Sequence, residues 1–337
     1  MITVGIAGAS GYTGAELLRL CASHPDLTVK VATGDSQAGT RAAALYPSLA
    51  AAYPDLVFSP YDAAAFEGVD LVFLALPHGA SQSVVPELRT RVKKIVDLSA
   101  DFRLADAALY PEWYGADHTA PELLDEFAFG IPELFRDSLR GADLVAAAGC
   151  YPTSAALALA PLLQAGMIES TGIIVDAASG VSGAGKGLKA TSLFGTVDEN
   201  FNAYGLLDHR HTPEIEQALG GAQVLFTPHL APMTRGILAT CYARPTSGSP
   251  DPLAVLRDAY ADEPFVVVTD EPPQTKATLG SNCIHITARH DPRTGWVLVL
   301  AALDNLVKGA SGQAVQCANL ALGLEESAGL PIVGVYP

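Results

Sequence analysis

The chain has 337 residues, with 20 lysines and arginines against 36 aspartates and glutamates, for a formal charge of −16. That acidic excess, with no stripe of basic residues, excludes binding along a nucleic-acid backbone; a small anionic substrate needs only one or two local cations. A 49% hydrophobic content over this length supplies the cores of two domains and excludes an intrinsically disordered polypeptide.

Met1-Ile2-Thr3-Val4 runs directly into a strand-like segment, so no signal peptide is expected. No apolar run nears the ~18 residues of a membrane span, so no membrane partner is expected. The five cysteines (Cys21, Cys150, Cys241, Cys283, Cys317) are scattered, with no C-x-x-C pair. They point to a reducing, cytoplasmic compartment and no structural zinc.

Ile2 to Ala7 reads as a first strand, followed by Gly8-Ala9-Ser10-Gly11-Tyr12-Thr13-Gly14 and the helical pattern Ala15 to Leu20. A G-x-x-G-x-x-G turn between strand and helix is a variant of the dinucleotide fingerprint; the bland alternative is a plain strand-to-helix turn. Leu27 to Thr33 supplies a second strand, ending at Gly34-Asp35-Ser36, where ribose selection is made. Asp35 suits a ribose 2′-hydroxyl, whereas Ser36, Thr40 and Arg41 suit a 2′-phosphate. NAD and NADP both stay open at this point.

Asp70 to Leu76 and Lys94 to Leu98 are apolar runs of parallel-strand type. The loops that follow, Pro77-His78-Gly79 and Ser99-Ala100-Asp101-Phe102-Arg103, should border a ligand. Arg103 is a candidate anion clamp, or else an ion-pair partner of Asp101 or Asp106. Residues 104–142 look like an irregular connection.

Asp143 to Ala148 is the next strand, and Gly149-Cys150-Tyr151-Pro152-Thr153 then leads into an apolar helix. With Pro152 at the first helical position, Cys150 stands just ahead of the helix, where unpaired N–H groups and the helix dipole favour a thiolate and an adjacent oxyanion. The alternative is a cysteine packed as a small hydrophobe. Past Cys150 come a strand over Gly172 to Ala178 and the glycine-rich loop Ser179 to Gly187, which contains Ser182 and Gly183. Strands at Gln223–Thr227, Gly236–Ala243, Phe265–Thr269, Cys283–Arg289 and Gly295–Leu303 predict an α+β second domain. Val307 to Glu326 predicts a long closing helix.

A nucleophilic thiol needs an acid or base beside it. Asp208-His209-Arg210-His211-Thr212-Pro213-Glu214 is the dense histidine cluster; His211 is the first choice for proton transfer, His209 the second, and Arg210 suits a substrate carboxylate. A metal reading fails for want of a third ligand at a recognisable spacing. A short-chain-type reductase would carry Tyr-x-x-x-Lys, and no tyrosine here has a lysine four residues on.

Taken with Leu76-Pro77-His78-Gly79, Asp97-Leu98-Ser99-Ala100-Asp101-Phe102-Arg103-Leu104, Ser179 to Lys186 and Asp304-Asn305-Leu306-Val307-Lys308-Gly309-Ala310, these motifs resemble the N-acetyl-γ-glutamyl-phosphate reductase family over essentially the whole chain. The resemblance implies an α/β protein with a Rossmann-type dinucleotide-binding domain over 1–148, completed by a C-terminal helix within 306–337. It also implies an α+β catalytic and oligomerisation domain of the semialdehyde-dehydrogenase type over 149–305. Implied with it are an NADP cofactor in preference to NAD, an acyl-phosphate substrate, phosphate, and a homotetramer or homodimer. The catalytic thiol falls on Cys150 and the acid–base role on His209 or His211. The cofactor then lies against Gly8, Ser10, Gly11, Tyr12, Thr13, Gly14, Ser36, Pro77, His78, Gly79, Ser182, Gly183 and Asn305, with Asn305 on the nicotinamide carboxamide. Arg103 and Arg210 take the substrate's anions. Gly34-Asp35-Ser36 departs from the serine–arginine pair of many relatives, which leaves the strength of NADP preference open.

Overall fold

Short runs rich in valine, isoleucine and leucine, each closed by a glycine or polar turn, cannot hide both faces alone and so stack side by side. In the computed structural model, which describes residues 1–248 and 251–337, they form two sheets in two units. Unit 1 is Met1–Ala148 with Ala310–Leu330; unit 2 is Gly149–Gly309 with Pro331–Pro337. The segment returning to unit 1 is thus shorter than the expected 306–337, and the last seven residues belong with unit 2.

In unit 1, β1 (Ile2–Ala7), β2 (Leu27–Ala32), β3 (Leu71–Leu74), β4 (Lys94–Asp97), β5 (Phe127–Gly130) and β6 (Leu144–Ala147) form a six-stranded sheet ordered β2-β1-β3-β4-β6-β5. Every pairing is parallel. Residues 104–142 are not the irregular connection the sequence suggested. They hold a helix at Leu109–Tyr114, the edge strand β5 and a helix at Pro132–Leu139. β5 is only four residues of Phe-Ala-Phe-Gly, too short to show a period before its partner β6 is known.

Unit 2 carries β7 (Ile173–Gly180), β8 (Asn202–Ala203), β9 (Val224–Ala231), β10 (Ile237–Ala243), β11 (Val266–Val268), β12 (Ile284–Asp291) and β13 (Trp296–Leu303). They form a mixed sheet ordered β11-β12-β13-β10-β7-β9-β8. The helix Cys150–Gln164 packs on β10 and β13 with twelve buried residues, apolar nearly all round, as a fully enclosed helix must be. Along β7, β10 and β13 residues alternate between buried and half-buried. The half-buried set shares one face: Ile174, Ala178, Leu238, Tyr242, Trp296, Leu298 and Leu300 are its apolar members, and Thr240 and Asp176 lie in a row beside Leu300. The expected closing helix is broken: Val307–Ser311 is a π-helical turn, and the α-helix is Gly312–Leu322. No described helix is long and apolar enough to cross a membrane.

Candidate active site

In unit 1 the glycines of the first loop serve different ends. Gly8 has φ +83° and sits so close to the β3 exit that an added Cβ would lie 2.3 Å from the Ala75 carbonyl oxygen. Gly14 would place a Cβ 2.5 Å from the Ala9 Cα and from the Gly8 carbonyl, so the helix can press on the loop. At Gly11 the nearest atom is 3.6 Å away, and nothing in the protein requires a glycine there. Gly11 caps the helix Tyr12–Ser23 with no side-chain bond. That leaves backbone amides at a positive helix end, a cradle that fits a dinucleotide's phosphates. Ser10 and Thr13 lie in the same turn, and a Cβ on Gly34 would come 2.7 Å from the Ser10 Cβ, so the two ligand-side loops touch. Ser36 is exposed, while Asp35 accepts the Tyr61 N–H at 2.7 Å, committing one carboxylate oxygen.

The Pro77-His78-Gly79 loop is held by Asp101. Its carboxylate, fully buried, accepts from Gly79 N at 2.7 Å and Gln82 N at 3.2 Å and lies 2.6 Å from His78 Nδ1. Burial alone would raise this carboxyl; the His78 contact and the two amides outweigh it and hold it below the usual range. Arg103, expected as an anion clamp or an ion-pair partner of Asp101 or Asp106, meets backbone carbonyls. It is buried and donates through Nε to Ala147 O at 2.9 Å and through Nη2 to Leu98 O at 2.8 Å. A planar fork meets two carbonyls at neighbouring strand ends and ties down the strand that leads to Cys150. Gln313, also buried, donates to Ala148 O at 3.2 Å.

In unit 2 the helix begins at Cys150 itself, with Gly149 as its cap; Pro152 is the third helical residue, not the first. Proline is tolerated anywhere in the opening turn, where its missing donor has no intrahelical partner, so its position did not fix the boundary. Gly149 is pinned from both sides: its carbonyl accepts Thr153 N and Thr153 Oγ1, both at 2.9 Å. Its N–H donates to Glu214 Oε1 at 2.6 Å, a charge-assisted bond with the carboxylate fully buried. The Gly149 amide is therefore committed and does not serve an oxyanion.

His209 and His211 come together with Tyr151. The ring centroids are 4.9 Å apart for the histidine pair, and 5.8 and 5.9 Å from Tyr151 to His209 and His211. Phe226 closes on His209 at 5.3 Å. Burial lowers His209 to about 4, with Arg210 pushing the same way, so at neutral pH it is uncharged. Its Nδ1 accepts the His211 N–H at 3.1 Å, which places the proton of the neutral ring on Nε2. Tyr204 Oη donates to Tyr151 Oη at 3.1 Å, and Tyr151 Oη donates to His229 O at 3.0 Å. Burial pushes Tyr204 up to about 12 and Tyr151 higher still, and the charge at Cys150 adds to both, so the hydroxyls stay protonated beside the thiol. Arg210, between the histidines, is exposed.

Ser182 and Gly183 lie in a tight turn after β7. Asn305 spans that turn and the start of β10, donating through Nδ2 to Ser182 Oγ at 2.9 Å and accepting Gly236 N–H at 2.7 Å. Glu214, Tyr204 and Asp101 were not assigned these positions from sequence. Glu214 lies in the first turn of the helix Thr212–Ala218, and Tyr204 lies in a segment without periodicity.

Two family models cover almost all of the chain. A semialdehyde dehydrogenase NAD-binding domain matches residues 3–142, and a semialdehyde dehydrogenase dimerisation domain matches residues 150–305. Solved structures agree on the fold. An aspartate semialdehyde dehydrogenase II from Vibrio cholerae has TM-score 0.69 at 15% identity, covering 96% of this chain and 98% of its own. A probable aspartate-semialdehyde dehydrogenase from Pseudomonas aeruginosa has TM-score 0.70 at 19% identity, covering 95% and 98%. The fold and the matched domains are those of the semialdehyde dehydrogenases, α/β proteins with a nicotinamide-cofactor domain.

Sequence relatives narrow the class. The N-acetyl-gamma-glutamyl-phosphate reductases of Symbiobacterium thermophilum and Desulforudis audaxviator are 51% and 50% identical to it, covering all of this chain and 99% and 100% of theirs. That of Pseudomonas aeruginosa is 48% identical, with both chains covered in full. The chain belongs to the N-acetyl-γ-glutamyl-phosphate reductase family.

Proposed function

We propose that this protein reduces N-acetyl-γ-glutamyl phosphate to N-acetylglutamate 5-semialdehyde and phosphate, the step of arginine biosynthesis after which the family is named, with Cys150 as nucleophile. The observation that carries the assignment is Cys150 as the first residue of a buried helix, with Tyr151 packed on the two histidines. A carboxylate is a poor acceptor of hydride, so an activated acyl phosphate is the substrate that such a thiol suits.

The Cys150 sulfur attacks the acyl carbon, the carbon–oxygen bond to phosphate breaks, and a thioester on Cys150 remains. The Gly8–Gly14 loop with Ser36, Pro77, His78 and Gly79 would hold a reduced nicotinamide cofactor, which when bound would supply the hydride for reduction of the thioester. The resulting thiohemiacetal on Cys150 collapses: the carbon–sulfur bond breaks, the aldehyde leaves, and the sulfur regains its negative charge or a proton. We assign the proton transfers to His211, because His209 is held neutral with Nδ1 bonded to the His211 amide. Arg210 is the candidate for the substrate's carboxylate. Asn305, Ser182 and Gly183 are candidates for the cofactor's nicotinamide end. NADP is preferred over NAD in this reading through exposed Ser36, since Asp35 has one oxygen engaged with Tyr61.

The half-buried sheet face that carries Ile174, Leu238, Tyr242, Leu298 and Leu300 together with Thr240 and Asp176 is assigned to a second copy of the chain, in keeping with the dimerisation domain matched over 150–305. No disulfide joins the five cysteines, which supports a reducing compartment.

The reverse reaction tests the assignment. N-acetylglutamate 5-semialdehyde should drive NADP reduction only when phosphate is present, with aspartate semialdehyde at least 100-fold poorer in kcat/KM. Equal turnover of aspartate semialdehyde, or turnover independent of phosphate, would overturn it.

A further inference from the structure

We propose that Gly309 is a positioning residue for the nucleophile, its missing side chain fixing where the Cys150 sulfur stands; this rests on the assignment of Cys150 above. A Cβ built on Gly309 would fall 2.7 Å from the Cys150 Cβ, 3.2 Å from the Cys150 Cα and 3.2 Å from the Leu303 Cδ1. The first two atoms are fixed by the backbone at the start of a buried helix and cannot swing aside as a long side chain does. Gly309 does not have the positive φ that singles out eighteen other glycines of the described residues, so room, not backbone conformation, is what demands glycine here.

The approach is produced by the turn around it. β13 ends at Leu303, and the Asp304 carbonyl accepts the Gly309 N–H at 3.0 Å, five residues on, the spacing of a π-helix. The Asp304 carboxylate, fully buried, secures the turn by accepting Leu306 N at 2.8 Å, Val307 N at 3.3 Å and Gly280 N at 2.7 Å. Arg235 stands 3.5 Å from it. The extra residue of the π-helical turn Val307–Ser311 thus lays bare backbone against the nucleophile's own Cα and Cβ. The thiol is backed by a wall without a side chain, and any atom added to that wall moves it.

The test is Gly309→Ala in the full-length enzyme, assayed with N-acetylglutamate 5-semialdehyde, NADP and phosphate. Thermal melting and the rate of Cys150 alkylation by iodoacetamide across pH are followed in parallel. A displacement of the sulfur by about 1 Å costs on the order of 100-fold in kcat, with the cofactor KM within twofold and the alkylation pH profile shifted. The double variant Gly309→Ala/Leu303→Ala separates this from simple overpacking, because it frees the Leu303 side of the clash and leaves the Cys150 side. It should fold, and its kcat should stay as low as that of the single variant relative to Leu303→Ala alone. Wild-type kcat in Gly309→Ala, recovery of kcat in the double variant, or a double variant that does not fold would each overturn the proposal. Activity of the wild type that survives complete alkylation of Cys150 would instead overturn the nucleophile assignment, so the two failures are distinct.

Discussion

Glu214 Oε1 accepts the Gly149 N–H at 2.6 Å across 65 residues of sequence, with the carboxylate fully enclosed. The bond joins the helix that follows the histidine pair to the residue that caps the helix Cys150–Gln164. Glu214→Ala leaves a buried amide without its acceptor, which costs about 1–3 kcal/mol. The melting temperature should fall by about 2–4 °C for each kcal/mol, and kcat should fall more than KM rises. Glu214→Gln keeps an oxygen in place and should recover most of the stability. A Glu214→Ala enzyme with wild-type melting and kcat would show that the bond does not hold the turn.

Gly8 and Gly11 should respond differently to the same change. Gly8→Ala meets a backbone carbonyl at 2.3 Å and a φ of +83°, so the fold itself should weaken, by more than the about 1–2 kcal/mol that the left-handed conformation alone costs. Gly11→Ala meets nothing closer than 3.6 Å. Its melting should stay within about 0.5 kcal/mol of wild type. Its cofactor KM should rise at least tenfold, because the added methyl occupies the ligand's side of the loop. Wild-type cofactor affinity in Gly11→Ala would remove the phosphate-cradle reading.

His209 makes stability depend on acid. Its folded value of about 4 lies below the ordinary histidine value of 6.5, so the unfolded chain binds the proton more readily. The stabilisation is whole above pH 6.5 and is lost as pH falls toward 4, at no more than about 1.4 kcal/mol per pH unit. His209→Asn places an oxygen where Nδ1 accepts the His211 amide, but it does not titrate. It should flatten that slope, measured by urea unfolding between pH 4 and 7, and keep kcat within about tenfold of wild type. His211→Asn should lower kcat by about 10²–10⁴-fold, the range of a lost acid–base group. The reverse ranking of the two variants would move the proton-transfer role to His209.

The half-buried face of unit 2 gives a fourth test. Leu300→Asp, opposite Thr240 on the neighbouring strand, adds a second carboxylate to the row that already holds Asp176. Sedimentation should show a smaller assembly than wild type, with the monomer's secondary structure intact. An unchanged sedimentation coefficient would place the contact between copies elsewhere.

The strand–glycine–helix opening and the Cys150 motif were legible because each packs its chemistry into neighbouring residues with a physical spacing. The parallel sheet was legible for the same reason, except for β5, whose four residues have no period to read. For Arg103 the sequence shows a cation but not the two carbonyls it meets, Ala147 O and Leu98 O. Glu214 and Tyr204 owe their places to contacts across 65 and 53 residues, which no local pattern encodes. Val307 to Glu326 looked like one helix because a π-helical turn leaves the same apolar composition and differs only by one residue of register.

Catalysis through Cys150 requires a covalent acyl–sulfur bond on that residue. Mixing the enzyme with N-acetylglutamate 5-semialdehyde and NADP without phosphate, quenching in acid and mapping peptides by mass spectrometry tests it directly. An N-acetylglutamyl adduct is expected on the peptide bearing Cys150, discharged when phosphate is added before the quench. An adduct on any other residue, or full turnover with phosphate by a Cys150→Ser enzyme, would contradict it.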